Sequence, residues 1–76
     1  MLKKWKLKRE IEKSKKQIAV LEQRRTRSQA ALVEAILRQT SPNDKDADFF
    51  NYFTTRIEAE RNKLHQLMEE LESLQK

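Results

Sequence analysis

The sequence predicts an all-α protein, a two-helix antiparallel coiled-coil hairpin that assembles into a four-helix bundle. Three observations carry this. The chain has no glycine, so tight β-hairpin turns and glycine-rich phosphate loops, which need positive φ, are all but excluded. Its turn-forming residues gather in one place, Thr40-Ser41-Pro42-Asn43-Asp44-Lys45. On both sides of that break apolar residues recur with a 3.5-residue period.

The first helix is expected over about residues 3–39. Its a positions are Lys4, Ile11, Ile18, Arg25, Leu32 and Gln39, and its d positions are Leu7, Ser14, Leu21, Ser28 and Ala35. Pro42 disfavours the α conformation at Ser41, so the helix should stop near Gln39 and a turn should occupy about 40–45. The second helix is expected over about 46–75. Asp44 or Asp46 can cap it by accepting from its free N–H groups, and the acidic residues Asp44, Asp46 and Asp48 suit the positive end of the helix dipole. A rival start takes Ser41 as the cap with Pro42 at the first position. The second seam has Phe50, Ile57, Leu64 and Leu71 at a, with Phe53, Glu60, Leu67 and Leu74 at d. Seven of these eight positions are apolar, which sustains the period for more than three heptads.

Folding the chain about a turn centred between Pro42 and Asn43 pairs a layers with d layers. Ile11 then faces Leu74, Ser14 faces Leu71, Leu21 faces Leu64 and Ser28 faces Ile57. Arg25 faces Glu60, and Glu22 meets Arg61 beside the seam. The Arg25–Glu60 pair is expected to set register more than stability, because two desolvated charges roughly break even while a lone one costs several kcal/mol.

A lone helix pair buries little surface per residue and normally needs a partner. Ala30, Val33 and Leu37 lie outside the first seam, and Ile36 flanks it. Phe49 flanks the second seam, with Tyr52 beyond. These six residues are the expected partner-binding surface, since a helix that is apolar nearly all round is buried on more than one side. The partner would be a protein, either a second copy in a homodimer or a larger complex.

Charge supplies a second asymmetry. The chain carries a net charge of +5, and residues 1–16 hold eight basic and two acidic side chains. Lys3, Lys4, Lys6, Lys8 and Arg9, together with Arg24 and Arg27, are candidate contacts for nucleic acid or an acidic partner. Trp5 among them could stack on a base or sit at a membrane interface. A solvated helix end with Trp5 packed on lysine stems is the plainer alternative.

Other chemistries find little support. There is no cysteine, hence no disulfide, thiolate metal site or cysteine nucleophile. Asp44, Asp46 and Asp48 alternate as in a calcium loop, but Phe49 and Thr55 stand where glycine and glutamate are required. His65 is the sole histidine and falls on an outer helical position. Arg24, Arg25, Arg27 and Glu60 would need a third helix to enclose an anionic substrate, so no enzyme, cofactor or small-molecule substrate is expected. The longest mostly apolar run, 30–37, is too short to cross a bilayer. The chain therefore reads as a cytoplasmic, non-enzymatic protein-interaction module serving as adaptor, chaperone-like factor, inhibitor or assembly subunit. The alternative is a basic hairpin that binds nucleic acid through its first helix.

Overall fold

A computed structural model describes residues 2–75. Helix α1 runs Leu2–Leu37 and helix α2 runs Asp44–Gln75, and the two pack against each other along their length. Among the described residues there is no strand. The helical hairpin measures 57 × 16 × 14 Å, close to the roughly 1.5 Å per residue that a helix of α1's length requires.

Both helices end for identifiable reasons. α1 stops at Leu37, two residues before the stop expected at Gln39. Gln39 itself adopts φ 58°, and the N–H of Gln39 donates to the carbonyl of Ile36 (3.0 Å) while that of Thr40 donates to Ala35 (2.9 Å). This is a Schellman closure, usually built with glycine at the left-handed position. The Thr40 hydroxyl also donates to the Ala35 carbonyl, at 3.2 Å. α2 begins at Asp44, and its cap is Asn43, not Asp44, Asp46 or Ser41. The Asn43 side-chain oxygen accepts from the N–H of Lys45 at 2.9 Å, and its carbonyl accepts from Asp46 at 3.0 Å. Asp44 and Asp46 instead occupy the first turn, where their charge favours the dipole.

The core is the heptad seam. Leu7, Ile11, Leu21 and Ile57 are its buried apolar residues, and Ile57 is fully enclosed. Ile18, Leu32, Ala35, Phe50, Phe53, Leu64, Leu67 and Leu71 are half-buried. Ser14 and Ser28 are buried at d positions, where a small side chain lets the helices approach. Each keeps a partner. Ser28 donates to the Arg24 carbonyl at 3.4 Å, and Ser14 donates to Glu60 Oε2 at 3.1 Å.

The second of these bonds corrects the register. With Ser14 facing Leu71, Glu60 would lie eleven positions further along the seam, about 16 Å away. The end of the hairpin agrees, since Leu7 borders one groove with Leu67 and Glu70 while Ile11 borders another with Met68 and Leu71. These contacts fit the heptad pattern displaced by about one repeat over the part of the hairpin away from the turn. The displacement preserves every a and d position on the seam. It covers Leu7 and leaves Leu74 at 44% exposure. The Arg25–Glu60 layer is not formed. Glu60 turns to Ser14, and among the described residues Arg25 has no ion-pair partner. Glu22 does meet Arg61, with Nη2 to Oε1 at 2.6 Å.

Candidate interaction surfaces

Two regions away from the seam expose side chains suited to binding. The first is the turn end, where the last turns of α1 and the first turns of α2 meet. All six residues picked out by the sequence are exposed there: Ala30, Val33, Ile36, Leu37, Phe49 and Tyr52. Leu37 is 78% exposed and Ile36 66%, values that leave most of each side chain in water.

The six do not form one continuous patch. Ala30, Val33 and Leu37 share an open groove on the outer face of α1 with Thr26, Gln29 and Glu34. Phe49 and Tyr52 form a separate aromatic cluster on α2, joined through half-buried Phe53. The Phe49 and Phe53 rings stack with centroids 6.2 Å apart, and Tyr52 meets Phe53 edge-on at 5.4 Å. Phe53 thereby ties the exposed aromatics to the core, which holds their rings in place. Ile36 stands at a position flanking the seam.

The second region is the opposite end of the hairpin. Lys3, Lys6, Lys8 and Arg9 are exposed, and Lys4 is half-buried on the seam. Glu70 borders a groove with Lys3 and Lys6, and Glu72 borders another with Lys8. Among the described residues none of these five cations is held in an ion pair. Arg24 and Arg27 are exposed further along α1 and are likewise unpaired. They lie some ten or more residues from the basic start, so the structure does not join them into one basic site.

Trp5 lies on the outer face of α1, with the Arg9 guanidinium 5.5 Å above its ring. It shares a surface groove with Leu2, Lys6, Arg9, Glu10 and Lys13, all from α1. Leu2 is a member of this group that the charge pattern alone obscures. Its spacing of three from Trp5 is the signal that could have found it, because residues three apart share a helix face. The exposed Met68 was also missed as a surface residue. It flanks the seam and closes the groove that reaches Ile11 and Leu71.

His65 is exposed and contacts Glu69 at 2.9 Å, one turn further along α2. Among the described residues no group of three His, Asp or Glu side chains gathers around a point that a metal could occupy. No helix among them is long and apolar enough to cross a membrane. No family model, curated protein or solved structure matches the chain.

Proposed function

We propose that this protein is a non-enzymatic interaction module whose turn end docks on another protein. The occupant is either a second copy, giving a four-helix coiled-coil bundle, or the helices of a larger complex. The observation that carries this reading is the exposure of large apolar side chains from both helices around the turn, with Leu37, Ile36, Val33, Phe49 and Tyr52 each more than two-fifths exposed. Isolated exposed apolar residues are ordinary, but a cluster of them marks an interaction surface. Aromatic side chains already fixed by stacking lose little freedom on binding, which favours them as anchors. Roles as adaptor, chaperone-like cap, inhibitor or assembly subunit all follow from such a surface.

The competing reading puts the contact on the basic end, with nucleic acid as the ligand. Lys3, Lys6, Lys8 and Arg9, which form no ion pair among the described residues, support it. Two variants separate the readings: Leu37→Ser with Phe49→Ser, and Lys3, Lys4, Lys6 and Lys8 all changed to Gln. Light scattering measures self-association and pull-down measures partner capture, with helicity checked by circular dichroism. The serine variant should lose association by tenfold or more, on the basis of about 1.5–3 kcal/mol for each large apolar side chain buried. A glutamine variant that loses association while the serine variant keeps it would move the contact to the basic end.

A further inference from the structure

We infer that the basic end of the hairpin is a docking face for a bilayer surface that carries acidic phospholipid. The face is the outer side of α1, bordered by Leu2, Trp5, Lys6, Arg9 and Lys13 with one carboxylate, Glu10, among them. This inference is independent of the protein contact proposed for the turn end.

Apolar and cationic groups are combined there in the manner an interfacial helix requires. Leu2 is 84% exposed, the most exposed large apolar side chain among the described residues, and Trp5 is 61% exposed. They sit three residues apart on one face, turned away from α2. Lys6, Arg9 and Lys13 lie with them on that face, while Lys3 and Lys8 stand to either side in grooves shared with Glu70 and Glu72, and none of these five cations is held in an ion pair among the described residues. A surface helix of this kind lays Leu and Trp into the headgroup boundary while Lys and Arg engage acidic headgroups. Each cation near such a surface is worth about fivefold in binding. Lys and Arg stems can lie along apolar surface with their charge in the headgroup layer, so the cations and the two apolar side chains can engage together.

Nucleic acid fits the same face less well. Single strands are bound on a series of aromatic rings that take successive bases. Trp5 is the only aromatic residue before Phe49, and the Arg9 guanidinium already lies over its ring. Leu2 would have no role on a phosphate backbone, whereas at a bilayer it is the side chain that gains most from leaving water.

The experiment uses the intact chain and the fluorescence of its only tryptophan. Vesicles of phosphatidylcholine alone are compared with vesicles containing about one-third phosphatidylserine, at physiological salt. The expected result is a blue shift of Trp5 emission, and quenching by brominated acyl chains, on the acidic vesicles only. Changing Lys3, Lys6, Lys8 and Arg9 to Gln should weaken binding by about two orders of magnitude or more. Leu2→Ala should weaken it severalfold to tenfold with helicity unchanged. Equal binding to both vesicle types, sedimentation with acidic vesicles without a Trp5 shift, or no binding to either would each overturn the inference. So would tighter binding to a 30-nucleotide strand than to the acidic vesicles in the same buffer.

Discussion

Replacing Gln39 with glycine should stabilise the protein, although the change removes a side chain and adds freedom to the unfolded chain. Gln39 holds φ at 58°, the left-handed region, where the Cβ of an L-residue lies too close to the following carbonyl oxygen. The cost is about 1–2 kcal/mol. Glycine removes that strain and retains the N–H that donates to the Ile36 carbonyl. Against this, glycine loses about 0.5–1 kcal/mol more backbone entropy on folding. Gln39 is exposed and its side chain makes no hydrogen bond among the described residues, so little packing is lost. The net gain is about 0.5–1 kcal/mol, equivalent to a rise in Tm of roughly 2–8 °C for a chain of this size. The assay is urea denaturation followed by circular dichroism at fixed protein concentration, because self-association would itself move the midpoint. Gln39→Val is the matched control, since a β-branched residue is strained further in this region and should cost about 1 kcal/mol or more. A glycine variant no more stable than the parent, or a valine variant equal to it, would refute the left-handed closure of α1.

Three further outcomes follow from the same geometry. Asn43→Ala should cost about 1 kcal/mol in denaturant unfolding, because the N–H of Lys45 loses its side-chain acceptor. Ile57→Ala should cost about 2–5 kcal/mol by the same measurement, as Ile57 is 0% exposed and its loss leaves a cavity in the seam. Arg25→Leu should leave stability unchanged or raise it, since Arg25 is half-buried and has no ion-pair partner among the described residues. A loss of about 3–5 kcal/mol there would instead mean that a buried pair with Glu60 had been broken.

The seam was readable from the sequence because burial follows heptad spacing closely, from half-buried Lys4 through Ala35 and from half-buried Phe50 through Leu71. Local chemistry placed the turn for a similar reason: the only proline and a cluster of polar residues mark it. The cap was harder to place, because Asn43, Asp44 and Asp46 all carry suitable acceptors and only backbone geometry selects among them. The register was not readable. A seven-residue slip again sets a positions opposite d positions, so periodicity cannot tell one alignment from the next. Charge matching favoured Arg25 against Glu60, but Glu60 is half-buried rather than enclosed and the Ser14 hydroxyl serves it. The displaced alignment covers Leu7 at the expense of Leu74, an exchange of one leucine for another that no pattern ranks. At the candidate surfaces, exposure of the turn-end residues followed from their positions off the seam. Their division into an α1 groove and an α2 aromatic cluster depended on the angular positions of individual side chains.

The elongated shape of the hairpin affects how its mass is perceived in solution. Its radius of gyration is 17.2 Å, whereas a compact chain of the same length would have about 11 Å. By the same scaling, 17.2 Å is the radius of a compact chain of roughly 220 residues. A single 9.1 kDa hairpin should therefore leave a sizing column well ahead of globular standards of its own mass. It should also tumble anisotropically, with slow end-over-end rotation and fast spinning about the long axis. Elution volume and the rotational correlation time read from fluorescence anisotropy would then both suggest an oligomer where only one chain is present.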